Sequence, residues 1–198
     1  MPETTAKDLA AEARRYLETT AAVLAAVAAG EVDRLAEVSA LLANRLRAGH
    51  TLFTCGNGGS AADAQHLAGE LVGRFLRDRA ALSAIALTTD SSVTTAIAND
   101  MGYDSVFRRQ VEAHGRPGDV AVGITTSGRS PNVVQALQLA RERGLVTLGL
   151  TGGGGGRLVG AVDYLIDVPH AETARIQEVH TMVVHVLCQI VEEAMPRG

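Results

Sequence analysis

A chain of 198 residues, 46% of them hydrophobic, is long enough to bury one substantial core, and its net charge is −4. Its arginines are scattered along the sequence rather than clustered, so we expect no basic surface that would attract nucleic acid or an anionic membrane. No apolar run reaches the roughly 18 residues that span a bilayer, and the polar first residues lack the order of a signal peptide. We therefore expect a single domain, residues 1–198, that binds neither nucleic acid nor membrane.

Two cysteines, Cys55 and Cys188, are too few for a disulfide framework. We expect both to be buried and reduced, which is typical of a cytoplasmic protein.

The first 49 residues predict a helical extension. Residues 4–29 and 31–48 are rich in Ala, Leu, Glu and Arg at helical spacing, and Gly30 separates them. These Ala-rich helices are also suited to association with another chain. The remaining residues, 50–198, form the predicted α/β core.

The core alternates strands with helices, which predicts a mostly parallel, five-stranded sheet with helices on both faces. Strands are predicted at 51–54, 83–87, 119–124, 145–150 and 163–168. Helices are predicted at 60–77, 91–100, 131–143 and 173–194. Ligands of such sheets bind outside the carboxyl ends of the strands.

The first strand leads into a glycine turn, Cys55-Gly56-Asn57-Gly58-Gly59-Ser60. Glycine permits positive φ and close approach of the backbone to a ligand. Ser60 is expected to cap the following helix, whose first N–H groups are available to an anion. The turn therefore predicts a cradle for a polar or phosphorylated ligand.

A second polar loop follows the strand at 119–124. Thr125, Thr126, Ser127 and Ser130 supply four hydroxyls just before Pro131, and Pro is favoured at the first position of a helix. An ordinary capped helix start would look similar, but pairing with the glycine turn favours a phosphate site.

Two other segments are more ambiguous. Asn99 and Asp100 either cap a helix end or contact sugar hydroxyls. The run Gly152–Gly156 is expected to be a flexible connection, because it lacks the Lys and Ser/Thr of a phosphate-binding P-loop.

Three ionisable side chains fall on predicted helices. His66 and Glu70 are four residues apart and share a helix face, which suits a metal ion, proton transfer or a simple surface pair. His185 lies in the apolar run Met182–Leu187, a setting that keeps an imidazole neutral. It is either a core residue or a neutral group available to a metal or a proton.

These residues, with Leu71-Val72-Gly73-Arg74-Phe75 and Arg175-Ile176-Gln177-Glu178-Val179-His180, together resemble the sugar isomerase (SIS) fold. Within it the chain is similar to the phosphoheptose isomerases, which convert sedoheptulose 7-phosphate into D-glycero-D-manno-heptose 7-phosphate. The resemblance covers nearly the whole chain and implies a SIS-type three-layer α/β sandwich, with helices on both faces and additional N-terminal helices.

The resemblance also implies roles for individual residues. It assigns Glu70 as the catalytic base, His185 as its acid/base partner, and Zn²⁺ as a cofactor bound by His66, Glu70, Gln177 and His185. It places the sugar phosphate on Asn57, Gly58, Gly59, Ser60, Glu70, Arg74, Asn99, Asp100, Thr125, Thr126, Ser127, Ser130 and Gln177.

Two positions depart from the family pattern. Thr125 replaces a common Ser and keeps the hydroxyl. Ala174 replaces a common Asp before the Arg-Ile-Gln run, so that polar contact is either missing or replaced by Glu172 or Thr173.

Gln177 and His185 are eight residues apart on one predicted helix, about 12 Å along its axis. Either the helix begins after Gln177 or one ligand comes from another chain. The second option predicts sites at subunit interfaces and agrees with the homotetramers implied by the resemblance.

The mechanism predicted from the resemblance is an aldose–ketose isomerisation through an enediol, with Glu70 moving a proton between C1 and C2. The sequence leaves two alternatives open. One is a non-catalytic SIS protein that binds a replication initiator, which the presence of Glu70 and His185 disfavours. The other acts on or binds another sugar phosphate, such as a pentose or hexosamine phosphate. Dinucleotide binding is disfavoured because the glycine spacing is wrong.

Overall fold

The computed structural model describes residues 5–196, which form seven α-helices and five strands. The strands are β1 (Leu52–Gly56), β2 (Ala84–Ala86), β3 (Val120–Ile124), β4 (Val146–Gly152) and β5 (Tyr164–Val168). The helices are α1 (Ala6–Gly30), α2 (Val32–Arg47), α3 (Gly59–Val72), α4 (Ser91–Met101), α5 (Val106–His114), α6 (Pro131–Glu142) and α7 (Thr173–Glu193). The first helix was predicted to begin at residue 4, which lies outside the described residues.

All four strand pairings are parallel, and the order across the sheet is β2-β1-β3-β4-β5. In this order β2 lies on one side of β1 and β3 lies on the other side, so the connection from β2 to β3 crosses β1. The carboxyl ends of β1 and β3 therefore flank a topological switch point, where open α/β sheets bind ligands.

Two apolar clusters cover the two faces of the sheet. Side chains alternate along a strand, so Leu52 of β1 joins one cluster and Phe53 joins the other. The first cluster contains buried residues of α1, α2, α3 and α7, and the second contains those of α5 and α6 with partly buried residues of α4. The predicted α/β fold with a five-stranded parallel sheet between helical layers is confirmed.

The first two helices contribute to the core rather than lying apart from it. Val27 of α1 and Leu42 of α2 are buried in the same cluster as Val183 of α7. Thr5 begins α1 through a reciprocal capping box with Asp8, and α1 ends at Gly30, where the sequence predicted the break.

Helix α5 was missed by the sequence analysis. It has only nine residues, and Arg108 and Arg109 interrupt its apolar pattern. Its anchors are Val106, Phe107 and Val111, which are buried against the second cluster. Two helical turns carry too little periodicity to be detected in a sequence.

The helix predicted at 60–77 begins at Gly59 and ends at Val72. Gly73 caps its C-terminus, and the backbone N–H groups of Phe75, Leu76 and Arg77 donate to the Glu192 carboxylate instead of to helical carbonyls. A partner more than one hundred residues away in sequence therefore ends the helix early.

Candidate active site

The glycine turn after β1 and the hydroxyl loop after β3 line one cavity of about 240 Å³ at the topological switch point. Its lining residues are Asn57, Gly58, Gly59, Ser60, Ile124, Thr125, Thr126, Ser127, Ser130, Thr173 and Gln177. Nine of the predicted substrate-binding residues are therefore brought together by the fold.

The glycine turn is formed by a backbone that only glycine adopts readily. Gly58 has φ of 57° and is the N-cap of α3, so Ser60 lies inside the first helical turn and is not the cap that the sequence predicted. Its N–H donates to the Asn57 carbonyl oxygen. The N-terminus of α3 consequently points at the cavity, where its partial positive charge favours an anion.

Asn57 is held by two side chains that the sequence analysis missed. Its amide exchanges two hydrogen bonds of 2.9 Å with that of Asn132, a buried residue next to Pro131 in α6. The Tyr103 hydroxyl lies 3.1 Å from Asn57 Oδ1. The one sequence signal for Asn132 was its place in the first turn of a helix that follows a hydroxyl loop.

The hydroxyl loop is fixed from both sides. Thr125 Oγ1 and Ser130 Oγ are 3.0 Å apart, and Pro131 opens α6. Gly128, with φ of 61°, packs directly on the backbone of Gly155. The run Gly152–Gly156, expected to be merely a flexible connection, thus forms the backbone surface against which the hydroxyl loop packs.

The predicted ionisable groups meet between α3 and α7. His66 Nε2 lies 3.2 Å from Glu70 Oε1 and 3.3 Å from Nε2 of His185. The two imidazole rings meet edge to face with centroids 4.9 Å apart, and the Phe75 ring lies 5.6 Å from that of His185. All three ionisable side chains are half-buried, so each keeps one side open to solvent.

The trio of His66, Glu70 and His185 has the donor types that zinc sites use, two imidazoles and a carboxylate. His66 Nε2 carries either one hydrogen or one lone pair, so it cannot form good hydrogen bonds with both Glu70 and His185, whereas a cation between them would accept a lone pair from each. Donors about 2.0–2.1 Å from a tetrahedral zinc ion lie roughly 3.3 Å apart, close to both distances. Within residues 5–196, however, no group of three or more His, Cys, Asp or Glu side chains is arranged so that it could hold a metal ion.

Gln177 lies with the cavity and not with the trio. Helix α7 runs unbroken from Thr173 to Glu193, so the option that the helix begins after Gln177 is wrong. Gln177 and His185 of one chain are therefore separated by about 12 Å along the helix axis.

Four predicted substrate contacts lie outside the cavity of the single chain: Glu70, which belongs to the trio, and Arg74, Asn99 and Asp100. Arg74 is exposed and pairs with Asp78 at 3.0 Å. Asn99 and Asp100 are exposed in the last turn of α4, where the Asn99 amide donates to the Asp100 carboxylate at 2.8 Å. The short 3₁₀ helix that follows, Tyr103–Ser105, links this region to the glycine turn through Tyr103.

The two residues that could replace the polar contact missing at Ala174 lie in different surroundings. Thr173 lines the cavity, whereas the Glu172 side chain is 70% exposed and faces Arg175 at 3.6 Å. Of these two residues, Thr173 is therefore the one that adds a polar side chain to the cavity.

His180, Cys55 and Cys188 are buried near the site and are uncharged. Burial lowers the pKa of His180, although its Nε2 contact with the Thr151 carbonyl oxygen at 3.0 Å opposes the shift. Burial raises the pKa values of Cys55 and Cys188 to about 12, and both thiols are free, as predicted. These three groups contribute to packing, and Glu70, His66 and His185 are the half-buried ionisable groups that meet between α3 and α7.

In the described part of the chain, no helix is long and apolar enough to cross a membrane.

The chain is similar to proteins of known family in both sequence and structure. Residues 15–152 match the family model of the SIS domain. A phosphoheptose isomerase of Nitratidesulfovibrio vulgaris is 55% identical over 163 residues, covering 82% of this chain and 78% of that protein. One from Roseiflexus is 53% identical over 182 residues, covering 92% and 87%. The structure of the phosphoheptose isomerase from Neisseria gonorrhoeae superposes with a TM-score of 0.88 at 40% identity, covering 93% of this chain and 99% of that one.

Proposed function

The chain belongs to the phosphoheptose isomerases of the SIS-domain family and is a sugar-phosphate isomerase, and from this premise we propose that it interconverts sedoheptulose 7-phosphate and D-glycero-D-manno-heptose 7-phosphate. The observation that carries this proposal is that one chain holds both an anion cradle at the switch point and, farther along α3, the half-buried trio of His66, Glu70 and His185.

The phosphate of the substrate occupies the cavity. The hydroxyls of Thr125, Ser127 and Ser130 donate to its oxygens, and the N-termini of α3 and α6 supply backbone N–H groups. The phosphate is therefore bound by hydroxyl and amide donors rather than by a positively charged side chain. The sugar chain extends out of the cavity from the bound phosphate.

Glu70 moves the proton between C1 and C2. Isomerisation of an aldose to a ketose removes a proton from one carbon and returns it to its neighbour through an enediol, so a single carboxylate serves as base and then as acid. The half-buried Glu70 side chain is open to solvent on one side, which leaves its carboxylate accessible to a bound sugar.

His185 and His66 complete the proton transfer. His185 exchanges a proton with the sugar oxygens at C1 and C2, which must gain and lose hydrogen as the carbonyl changes position. His66 lies between Glu70 and His185, and its Nε2 can form a hydrogen bond with one of the two groups at a time.

Zinc is part of the proposal, and His66, Glu70 and His185 are the residues that would hold it. A bound Zn²⁺ ion would act as a Lewis acid that polarises the sugar carbonyl. Gln177 joins this ligand set only from another copy of the chain, because its own helix holds it about 12 Å from His185.

We therefore place the active sites at the interfaces of a homotetramer. An apolar groove between α1, α2 and α7 supports association, since Met182 and Val186 on its wall are 47% and 36% exposed. We expect sedimentation equilibrium to give four chains per particle at assay concentration. A fully active monomer would exclude shared sites.

The main alternatives are a non-catalytic SIS protein that binds a replication initiator and an enzyme for a different sugar phosphate. The trio argues against the first, because a pure binding module has no need of a carboxylate and two imidazoles in contact. The hydroxyl cradle does not itself discriminate the length of the sugar.

Turnover of sedoheptulose 7-phosphate, compared with pentose and hexosamine phosphates, tests the proposal directly. We expect conversion of the heptose phosphate, loss of activity after chelation, recovery with Zn²⁺, and about one zinc per chain by elemental analysis. Binding of sugar phosphate without turnover under any metal condition would favour the regulatory alternative, and preferential turnover of another sugar would reassign the substrate.

A further inference from the structure

The segment between α3 and β2, residues 73–83, is organised by one buried carboxylate on α7. Glu192 is 2% exposed and accepts hydrogen bonds from the N–H groups of Phe75 at 3.0 Å, Leu76 at 2.8 Å and Arg77 at 2.8 Å. Three consecutive amides converging on one side chain fix the path of the backbone as it leaves α3.

The same carboxylate binds Arg79. Arg79 Nε lies 3.3 Å from Glu192 Oε1, and both side chains are only 3% exposed. The Arg79 guanidinium also donates to the carbonyl oxygens of Glu70 at 2.8 Å, Leu71 at 2.9 Å and Ala80 at 2.9 Å. Arg79 therefore ties the last turn of α3, which carries Glu70, to the Glu192 carboxylate.

The segment also reaches the second proton-transfer group. Phe75, whose N–H is bound by Glu192, packs its ring 5.6 Å from the ring of His185. One buried ion pair is thus connected to both groups of the reaction: to Glu70 through its backbone carbonyl and to His185 through the Phe75 ring.

We propose that Glu192 and Arg79 are positioning residues that set the relative placement of Glu70 and His185 for proton transfer. The inference rests on the proposed function, because it assigns Glu70 and His185 the chemistry described above. Neither Glu192 nor Arg79 lines the cavity, so their effect on the substrate is indirect.

The charge of Glu192 is maintained in the fold. Burial would raise the pKa of this carboxyl, but hydrogen bonds from the N–H groups of Leu76, Phe75 and Arg77 and the charge of Arg79 outweigh it and hold the pKa below its usual value. The ion pair is therefore present at neutral pH, where the enzyme would work.

The test compares Glu192→Gln and Arg79→Met with a matched control elsewhere in the fold. Asp119 is also buried, accepts backbone N–H groups of Thr51 and Arg116, and faces His50 at 3.6 Å, but it lies at the amino ends of the strands, opposite the site. Asp119→Asn therefore disturbs the same kind of carboxylate without touching the trio.

We expect Glu192→Gln and Arg79→Met to lower kcat by about 10- to 100-fold with KM changed less than about threefold, since small misplacements of reacting groups have effects of this size. Arg79→Lys should restore part of kcat by returning a positive charge to Glu192. Asp119→Asn should shift the thermal midpoint by a similar amount and leave kcat within about twofold of the unaltered enzyme.

Equal kcat in Glu192→Gln, Arg79→Met and Asp119→Asn would overturn the positioning role and leave only a contribution to stability. Amide hydrogen exchange distinguishes this from failure of the proposed function. If the unaltered protein turned over no heptose phosphate, faster exchange at residues 70–77 in Glu192→Gln, and not in Asp119→Asn, would still support control of α3 by the ion pair. Unchanged exchange there would overturn it.

Discussion

Replacing Glu70 by Gln is expected to lower kcat for isomerisation by about 10² to 10⁴ while KM stays within a few-fold. The amide has nearly the shape of the carboxylate and can still contact His66, but it cannot accept the proton from carbon. Because Glu70 is half-buried in a pair with His66 and is not a core residue, its replacement should change the free energy of unfolding by no more than about 1 kcal/mol.

Two measurements check this prediction. One follows sugar-phosphate conversion, and the other follows incorporation of solvent deuterium at C1 and C2, which reports proton transfer itself. Glu142→Gln, an exposed change on α6, is the matched control and should behave as the unaltered enzyme. Near-full turnover by Glu70→Gln would assign the base to another residue.

Replacing Gly128 by Ala is expected to disable the phosphate cradle. The added Cβ would lie 2.0 Å from the Gly155 carbonyl oxygen, and φ at this position is +61°. The positive φ costs roughly 1–2 kcal/mol and overpacking against backbone typically adds 1–3 kcal/mol. Because neither backbone can move aside as a side chain would, the loop of Thr125 to Ser130 must shift, and a shift of about 1 Å should lower kcat/KM by about 10²-fold.

Gly154→Ala is the matched control for this change. Gly154 also has positive φ, at +92°, but its Cβ would meet nothing within 4 Å. It should therefore show the conformational cost alone, measured by urea unfolding, with kcat/KM nearly unchanged. Equal losses of kcat/KM in the two variants would show that contact with Gly155 does not shape the cradle.

Local sequence preferences determined most of the elements and both halves of the cradle. The strands at 119–124 and 163–168 and the helix at 131–143 were predicted within one or two residues of their observed ends, because each has its own apolar run and its own turn residues. Asn57, Gly58 and Gly59, like the hydroxyls of Thr125 to Ser130, were found because glycine and hydroxyl residues after a strand are short-range signals.

Only the tertiary structure decided how those pieces meet. The pairing of β1 with β3 joins the glycine turn to the hydroxyl loop, and the packing of α3 on α7 joins His66 to His185 across 119 residues of sequence. Glu192 ends α3 early from 115 residues away, against the helical preference of residues 73–77. Strand order and helix packing depend on which buried surfaces fit each other in the folded chain. Those surfaces come from residues far apart in sequence, so a local pattern of residues does not predict them.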